Sequence, residues 1–540
     1  MDFPLSVGHL FRHGNRVHGA SLVTTWSPHG VRRASFAQVA ERAGRLASLL
    51  RRIGVKPGSV VGTLAWNHQA HLEAYLAVPS MGAVLHTLNL RLSSDELSYI
   101  INHGEDEVIL CDGSLLPLLG AIADRLPKLR TIIVIGEAAA SADGVRWGAI
   151  EMAGDYENLI ASETSSFKWP DVDERAPAAM CYTSGTTGNP KGVVYSHRSQ
   201  VLHAMSINAA SNFAITDRDK VLVIVPLFHA SAWGTPYGGW MAGADFLLPQ
   251  QYLQAPHLAA MIEEERPSFS AAVPTIWSDL LTYADQNPVD LSSMREVISG
   301  GAAVPRALIE RFHNRFGVPM TQGWGMTECS PLAALARPPA RVSEKSELDY
   351  RAHTGRVIPG VELRIVDDAG AVLPWDGEAA GEIQLKGAWV TGAYFGGDGA
   401  DKFVDGWLRT GDVGTVDPAG FVQLVDRAKD IVKSGGEWIS SVALENALMG
   451  HADVVEAAVI AIPDARWGER PLPCVVLRQG TETAADDLHE WLSPHFPKWW
   501  LPEQWAFIDA VPRTSVGKFD KKALRKRYNE QELKAERLNE

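Results

Sequence analysis

The sequence predicts an α/β protein: a large N-terminal part in which helices flank mostly parallel sheets, followed by a smaller α+β domain. From about residue 36 to residue 430, helix-like patterns alternate with short, nearly continuous apolar runs. Such runs are typical of strands that are buried on both faces of a parallel sheet. After residue 430 the pattern changes, and the chain ends in a strongly charged segment of helical pattern. We therefore predict a domain boundary near residues 424–430.

The first segments follow one another as helix and strand. FAQVAERAGRLASLLRRIG (36–54) carries apolar residues at helical spacing, and SVVGTLAWN (59–67) follows it as a buried strand. SSDELSYIINHG (93–104) begins with serines that can cap a helix, and DEVILCD (106–112) is the next strand. Each helix is thus followed at once by an apolar strand, as parallel sheets require.

The alternation continues to the boundary in VLVIVPLFHA (221–230) and AVPTIWSDLL (272–281). Beyond the boundary, WISSVALENALMGH (438–451) predicts a helix with serines at its start and a glycine past its end. The remaining segments predict two strands, another helix and a charged helical tail: VVEAAVIAIPD (454–464), PLPCVVLRQG (471–480), TAADDLHEWLSPHF (483–496) and GKFDKKALRKRYNEQELKAERLNE (517–540).

The composition excludes several classes of protein. With 540 residues, of which 46% are hydrophobic and 21% charged, the chain can bury a large core in roughly three or four domain-sized units. A formal net charge of −14 opposes generic binding to nucleic acid or to an anionic membrane. Anionic ligands would therefore need cations that are placed locally.

The N-terminus and the cysteines bear on the compartment. Charges and histidines occupy the first twenty residues, where a signal peptide needs an apolar run, and no apolar stretch reaches about 18 residues. We expect a cytoplasmic protein without integral membrane association. Four widely separated cysteines without a CxxC pair fit a reducing compartment: Cys111, Cys181, Cys329 and Cys474.

The segment YTSGTTGNPKG (182–192) is a candidate phosphate-binding loop. It follows a short apolar strand and precedes a helical run, so its backbone N–H groups and hydroxyls can face an anion, and Lys191 adds a charge. It is not a Walker loop, which requires Gly-Lys followed by Ser or Thr. From the residues alone, a polar surface loop stays open as the alternative.

This loop resembles the signature of the adenylate-forming superfamily, which includes acyl-CoA synthetases, firefly-type luciferases and adenylation domains of peptide synthetases. Six further segments match the motifs of that superfamily in the expected order: LFHASAW (227–233), SGGAAVP (299–305), QGWGMTE (322–328), WLRTGD (407–412), DRAKDIVKSGGEWIS (426–440) and PRTSVGKF (512–519). The strings GWGMTE and KSGGEWISS also resemble those of 3-methylmercaptopropionate–CoA ligases and of bacterial medium- and long-chain fatty acyl-CoA synthetases.

The resemblance implies an architecture and an activity. Residues 1–426 would form an N-terminal domain with a β-barrel-like part that binds ATP and the acid. Residues 427–540 would form a small mobile domain that carries the catalytic lysine. The activity would be that of an acid–CoA ligase that uses ATP, Mg²⁺ and coenzyme A and passes through an acyl-adenylate. Related bacterial enzymes are often dimers, so analogy suggests a homodimer.

Residue roles around ATP are implied in the same way. Thr183 and Glu328 would hold Mg²⁺, and Glu328 would act in catalysis. The loop would take the β- and γ-phosphates with Thr183, Ser184, Gly185, Thr186, Thr187, Gly188 and Lys191. Trp324, where the family commonly has tyrosine, would stack on adenine. Asp412 would bind the ribose with help from Arg427, and the remaining nucleotide contacts would come from Gly300, Gly301, Ala302, Gln322, Gly323 and Thr327.

Lys518 is the expected catalytic lysine of the small domain. Its ammonium would bridge the substrate carboxylate and the α-phosphate, whereas the alternative is one more cation of the basic tail. Lys429 falls at the hinge position of the family, about which the small domain would rotate between two poses. The second pose would bring the CoA-side residues to the site: Lys433, Gly435, Gly436 and Trp438.

The acyl pocket is expected to be apolar and of limited depth. His229 and Trp233 match family positions beside the acyl group, and His229 is expected to be a catalytic residue together with Lys518 and Glu328. Trp240 is placed where it would obstruct a deep channel. Gly301, Trp324 and Pro331 complete the predicted lining. The preferred substrate is 3-methylmercaptopropionate or a similar short or medium apolar acid. Medium- or long-chain fatty acids, delivery of the acyl group to a carrier protein, and a nucleotide-binding regulator without turnover are the alternatives.

Overall fold

The computed structural model describes residues 3–138, 144–183, 189–435, 437–514 and 518–538. Up to Arg427 the described strands are β1 (Leu22–Ser27), β2 (Gly30–Ser35), β3 (Val60–Leu64), β4 (Val84–Thr87), β5 (Asp106–Asp112), β6 (Thr131–Ile135), β7 (Glu151–Asp155), β8 (Pro177–Tyr182), β9 (Gly192–Ser196), β10 (Lys220–Leu222), β11 (Asp245–Leu248), β12 (Phe269–Ala272), β13 (Glu296–Gly300), β14 (Met320–Gly325), β15 (Leu332–Leu335), β16 (Gly355–Val357), β17 (Val361–Val366), β18 (Gly381–Gly387), β19 (Phe403–Val404), β20 (Trp407–Val416) and β21 (Phe421–Arg427).

Helices cover these strands, and a smaller set of elements follows them. The helices of the same part are α1 (Val7–Val17), α2 (Phe36–Arg52), α3 (Gln69–Ser80), α4 (Ser94–Gly104), α5 (Leu116–Gly120), α6 (Tyr156–Ala161), α7 (His197–Asn208), α8 (Thr235–Ala242), α9 (Ala255–Glu265), α10 (Pro274–Ala284), α11 (Arg306–Phe316) and α12 (Glu344–Ala352). The C-terminal elements are β22 (Val432–Ser434), β23 (Glu437–Ile439), α13 (Ser441–Leu448), β24 (Val454–Asp464), β25 (Gly468–Leu477), α14 (Ala485–Leu492), β26 (Gln504–Phe507), α15 (Lys521–Asn529) and β27 (Glu536–Arg537).

Two sheets organise the N-terminal part. In the described residues, one sheet has seven strands in the order β7-β6-β5-β3-β4-β8-β9, parallel except for the last pair. The other has a parallel half, β1-β11-β10-β12-β13-β14, that continues without a break into antiparallel strands β15, β16, β21, β20, β18 and β17. The predicted fold class is confirmed, and the antiparallel extension takes the place of the expected barrel-like part.

The small C-terminal sheet has the order β23-β22-β25-β26-β27, with β24 paired to β25. Its helices α13 and α14 pack over a separate apolar cluster that includes Leu444, Leu448 and Trp505. This is the α+β domain expected from the change of pattern. β21, the last strand of the large sheet, ends at Arg427, and β22 begins at Val432.

Local sequence accounts for most element boundaries. Ser35 with Gln38 and Ser93 with Glu96 form capping boxes at the starts of α2 and α4. One predicted strand is much shorter than its apolar run. The run covers residues 221–230, whereas β10 is only Lys220–Leu222. Beyond it, the Asn67 amide takes the place of a neighbouring strand, because it donates to Val223 and Val225 carbonyls and accepts from the Leu227 N–H.

In the part of the chain that the structure describes, no helix is long and apolar enough to cross a membrane.

Candidate active site

A cavity of about 570 Å³ lies between the carboxyl ends of β13 and β14, the β20–β21 region and the small domain. Ligand sites of α/β proteins commonly lie at the carboxyl ends of parallel strands, and this volume is in the usual range for such sites. Residues from all seven quoted motifs line the cavity, among them Thr183, His229, Gly301, Glu328 and Lys518. Tertiary folding thus brings together positions that are more than 330 residues apart in the chain.

The phosphate side of the cavity is bounded by the two ends of the predicted loop. The Thr183 N–H donates to the Lys191 carbonyl at 2.9 Å, and the Lys191 N–H donates to Thr183 Oγ1 at 3.1 Å. These bonds close the loop at its base. Residues 184–188, with the predicted phosphate contacts Ser184, Gly185, Thr186, Thr187 and Gly188, lie outside the described residues.

Glu328 lies in a short turn (Thr327–Cys329) directly after β14 and is 5% exposed. The Tyr394 hydroxyl donates to its Oε1, and the Lys191 ammonium lies 5.1 Å from the centre of the Tyr394 ring. Burial raises the pKa of Tyr394, with the Glu328 charge adding to the effect, so the phenol stays a donor at neutral pH. Tyr394 therefore joins the predicted metal ligand to the predicted phosphate-side cation.

The donor set fits Mg²⁺ in its usual protein environment. The described residues include no group of three or more His, Cys, Asp or Glu side chains that could hold a metal ion. Mg²⁺ in nucleotide enzymes typically takes only one or two carboxylates and completes its shell with phosphates and water. One carboxylate, Glu328, with the Thr183 hydroxyl at the same cavity is such a set.

Trp324, Asp412 and Arg427 form the predicted nucleoside side. The Trp324 indole N–H donates to Asp412 Oδ2 at 3.0 Å, and Arg427 Nε lies 2.9 Å from Asp412 Oδ1. The Asp412 charge raises the pKa of Arg427, which outweighs the opposite effect of burial. Both carboxylate oxygens of Asp412 are thus engaged, and a ribose would have to use their remaining lone pairs or displace a partner.

Two glycines behind the nucleoside side are required, Gly300 by close packing and Gly301 by its backbone conformation. A Cβ on Gly300 would lie 2.5 Å from the Gly323 carbonyl oxygen and 3.3 Å from the Trp233 ring. Gly301 has φ of +81°, a conformation that L side chains rarely adopt. Gly301, Gly323 and Thr327 line the cavity, whereas Ala302 is exposed, Gln322 is buried within β14, and neither of these two belongs to the lining.

Lys518 reaches the cavity from the small domain. Its Cε would lie 3.8 Å from a Cβ on Gly301. Desolvation in the cleft and the nearby Arg427 charge lower the pKa of Lys518 to about 8, although Asp412 and Glu328 oppose the shift. The ammonium is therefore still mostly charged at neutral pH. The surrounding turn is closed by hydrogen bonds from Thr514 N–H to the Lys518 carbonyl (2.7 Å) and from Lys518 N–H to Thr514 Oγ1 (3.2 Å).

Cations are concentrated at this cavity although the whole chain carries a net charge of −14. The basic side chains that line it are Lys191, Lys402, Arg409, Arg427, Lys429 and Lys518. Such a local excess suits a polyanionic ligand such as a triphosphate. Motif matching did not single out Lys402, Arg409 or Tyr394. Arg409 lies in the quoted WLRTGD segment, and the signal for Tyr394 was the aromatic residue between glycines in TGAYFGG (391–397).

The predicted acyl side of the cavity is apolar. Phe213, Trp233, Ile298, Pro331 and Leu332 contribute to it. Trp233 has φ of +54°, and the preceding Ala230 and Ala232 also have positive φ, so strained backbone carries this ring. The strained segment places the ring against Gly300 and Gly301.

His229 lines the cavity, and it lies close enough to Lys518 for that charge to act on the imidazole. Desolvation, followed by the Lys518 and Arg91 charges, lowers the pKa of His229 to about 3. The imidazole is therefore neutral at physiological pH and cannot serve there as an acid of ordinary strength.

The prediction that Trp240 limits the depth of the pocket is wrong. Trp240 is fully buried on α8, where its ring stacks on Phe36 at 4.0 Å and its indole N–H donates to the Phe11 carbonyl. Gly14 of α1 leaves the space that the Trp240 ring occupies, because a Cβ at Gly14 would lie 2.3 Å from the indole. α8 turns this face toward α1 and α2, so Trp240 belongs to the core and not to the cavity lining.

The CoA-side residues are not at the cavity in this arrangement. Lys433 pairs with Trp438 across the β22–β23 hairpin, and both side chains are exposed. Gly435, with φ of +62°, packs against Trp467, and Gly436 lies outside the described residues. Lys429, the predicted hinge, lines the cavity.

Residues 11–395 match the family described as AMP-binding enzyme, and residues 443–518 match the C-terminal domain of the same enzymes. The chain belongs to the AMP-binding enzyme family. This AMP-binding enzyme is 46% identical to a long-chain-fatty-acid–CoA ligase of Thermus thermophilus, over 98% of this chain and 96% of the relative. It is 40% identical to a 3-methylmercaptopropionyl-CoA ligase of Ruegeria pomeroyi, over 98% of both chains.

Solved structures with the same fold include an anthranilate CoA ligase in complex with anthranoyl-AMP, with a TM-score of 0.88, 25% identity, and coverage of 98% of this chain and 99% of that one. A benzoate CoA ligase from Burkholderia xenovorans has a TM-score of 0.83 at 25% identity, over 97% of this chain and all of that one. The protein is accordingly an acid–CoA ligase, an AMP-forming acyl-CoA synthetase with ATP and CoA as co-substrates. A regulator without turnover is no longer a competing interpretation.

Proposed function

We propose that this AMP-binding enzyme activates a short or medium apolar carboxylic acid, with 3-methylmercaptopropionate as the leading candidate. The observation that carries the proposal is a buried ionic cluster near the apolar end of the cavity, which we call the ionic layer: Glu296 with its partners Thr321 and Arg337. Ile298 lines that end, and Glu296 lies two residues earlier on β13, on the same face of the sheet. In this proposal the ionic layer, and not Trp240, limits the depth of the acyl pocket.

Glu296 is 4% exposed and fully engaged. Thr321 Oγ1 donates to one carboxylate oxygen at 2.6 Å, and Arg337 binds the other at 2.8 Å. A hydrocarbon chain that extended past Ile298 would have to displace these partners and leave a buried charge unpaired, which costs several kcal/mol. A chain of a few methylene groups, with or without a thioether, ends before that layer.

In the first half-reaction, a carboxylate oxygen of the acid would form a bond to the α-phosphorus of ATP while the bond to pyrophosphate breaks. Lys518 would hold the carboxylate and the α-phosphate together and offset the developing charge. Lys191 would bind the leaving pyrophosphate. The neutral His229 would pack beside the acyl group without taking a proton, since the acid is already ionised at neutral pH.

Thr183 and Glu328 would hold Mg²⁺, which would supply neutralising charge to the phosphates. Tyr394 keeps the Glu328 carboxylate in one orientation, as partners of metal ligands commonly do.

In the second half-reaction, the CoA sulfur would attack the acyl carbonyl carbon, and AMP would leave. The small domain, predicted as residues 427–540, would rotate about Lys429, while Arg427 stays with β21 of the large sheet. The exposed β22–β23 hairpin, with Lys433 and Trp438, would then face the cavity. Gly435 has no side chain at this turn, so a pantetheine arm would be able to approach the backbone there.

A long-chain fatty acid is the second candidate. It is favoured by the strained segment under Trp233, because a ring held by strained backbone can swing aside and open a path that avoids the ionic layer. The relative from Thermus thermophilus, named a long-chain-fatty-acid–CoA ligase, supports the same alternative.

The test is a series of kcat/KM values for saturated acids from propionate to palmitate, with 3-methylmercaptopropionate included and CoA thioester formation measured by mass. We expect a maximum between about four and eight carbons or at the sulfur acid. A maximum at palmitate would reject the ionic-layer argument in favour of the second candidate.

A further inference from the structure

A chain of buried polar side chains joins the two domains beside the cavity. Asp426 lies on β21 of the large sheet, opposite Val413, and is 3% exposed. Its Oδ2 accepts hydrogen bonds from both the backbone N–H (2.7 Å) and the hydroxyl of Ser441. Lys521 Nζ in turn donates to Ser441 Oγ at 2.6 Å and pairs with Glu445 at 2.7 Å. The order of contacts is therefore Asp426, Ser441, Lys521, Glu445.

The contact between Asp426 and Ser441 crosses from one sheet to the other. Asp426 is held in the large sheet by its strand, whereas Ser441 begins α13, which packs on β24 of the small sheet. Ser440 adds a second crossing bond, because its hydroxyl donates to the Val425 carbonyl. Lys429 lies between the two sides of the contact in the chain.

Lys521 lies three residues after Lys518, and hydrogen bonds hold the described residues on both sides of Lys518. The turn that carries Lys518 is closed by hydrogen bonds from Thr514 N–H to the Lys518 carbonyl and from Asp520 N–H to the Pro512 carbonyl, both 2.7 Å. The Asp520 side chain then caps α15 through the Ala523 N–H at 3.0 Å. Anchoring Lys521 at the start of α15 therefore anchors the turn of Lys518.

We propose that Lys521 is a positioning residue for adenylate formation, which acts through Ser441 and Asp426 to hold Lys518 in the cavity. The inference rests on the proposed role of Lys518. When the small domain rotates about Lys429, Asp426 remains with the large sheet, while Ser441 and Lys521 leave with the small one. The contact exists only in the pose that serves the first half-reaction, so weakening it lowers that reaction selectively.

A second ion pair provides an internal contrast. Arg525 of α15 binds Asp430 at 2.8 Å. Asp430 follows Lys429, so this pair moves with the small domain and persists in both poses. It stabilises the small domain without favouring either pose.

The experiment measures both half-reactions separately in Ser441→Ala and in Lys521→Met. Acid-dependent exchange of pyrophosphate into ATP reports the first, and thioester formation from supplied acyl-adenylate and CoA reports the second. We expect exchange to fall roughly tenfold or more, the effect of one charge-assisted hydrogen bond, and thioester formation to change less than about twofold. Ser441→Thr, which keeps the hydroxyl, restores exchange.

Lys526→Met is the matched control on the same helix, because Lys526 is 73% exposed and pairs only weakly with Glu530 at 3.8 Å. It leaves both half-reactions unchanged. Should Lys521→Met fail to fold because Glu445 is left unpaired, the double variant Glu445→Gln/Lys521→Met removes both buried charges. The same selective loss of exchange is expected there, with thermal unfolding as the check on folding.

Undiminished exchange in Ser441→Ala, equal loss of both half-reactions, or no rescue by Ser441→Thr would each overturn the inference. The wild-type enzyme separates this failure from that of the proposed function. If it shows no exchange with any acid, or if Lys518→Ala exchanges normally, the proposed role of Lys518 fails. If wild type and Lys518→Ala behave as expected, only the role of Lys521 is rejected.

Discussion

Replacing Gly323 by alanine tests where the acyl chain ends. Gly323 lies on β14 at the apolar side of the cavity. A Cβ there would lie 3.5 Å from Ile298 Cγ2 and 3.6 Å from Leu332 Cδ1 and Leu335 Cδ1, which is ordinary van der Waals contact. The backbone φ is not in the left-handed region, so alanine fits without strain and the protein folds.

The added methyl group takes the space of about one methylene group at the end of the acyl chain. Discrimination by one methylene group in an apolar pocket is worth about 1–3 kcal/mol, or roughly 10- to 200-fold in kcat/KM. We therefore expect Gly323→Ala to lower kcat/KM by that factor for the longest acid that wild type accepts well. Acids that are two or more carbons shorter should be affected less than about threefold.

The assay is the kcat/KM series over chain length, repeated with the variant, together with KM for ATP as the control for the nucleotide side. An equal decrease for all acids would mean that Gly323 serves the nucleotide and not the acyl chain. An unchanged profile would mean that the acyl chain takes a different path, as the Trp233 alternative requires.

Four further predictions follow from the geometry. Lys518→Ala should lower pyrophosphate exchange by about 10²-fold or more and spare thioester formation from supplied acyl-adenylate. In wild type, kcat/KM for exchange should decrease as pH rises through about 8, because Lys518 with a pKa of about 8 loses its charge there; no such decrease is expected for the thioester step. Tyr394→Phe keeps the ring under Lys191 but removes the hydrogen bond to Glu328, so a Mg²⁺ titration of exchange should show half-saturation at about tenfold higher concentration. Trp240→Ala should lower the free energy of unfolding by about 3–5 kcal/mol in urea denaturation and leave the chain-length profile unchanged; a changed profile would return Trp240 to the pocket.

Much of the fold followed from local patterns. The capped helix at 93–104 forms as Ser94–Gly104, and the strands at 106–112 and 454–464 form with the predicted bounds. These segments have strong periodicity and clear end signals, which depend only on neighbouring residues. The run at 221–230 departed from its prediction because a distant side chain, Asn67, supplies the hydrogen bonds that a neighbouring strand would have made.

Some candidate site residues could be named from local sequence, and others depend on distant contacts. Lys518, Glu328, Trp324 and Thr183 stand in strings whose order along the chain resembles one superfamily, so they could be named from the sequence, and all four line one cavity. Tyr394 could not, because its importance comes from contacts with Glu328 and Lys191 that are separated from it by 66 and more than 200 residues.

The sequence by itself determined the class of chemistry: its motifs specify which groups can bind a triphosphate and a carboxylate, and short-range patterns specify helices and strands. Only the tertiary structure decided where each side chain points. Trp240 lies in the core because α8 presents that face to α1 and α2, whereas Ile298 lines the cavity and is followed outward on β13 by the buried, hydrogen-bonded Glu296. The orientation of a side chain depends on packing between distant elements, and linear spacing does not contain that information.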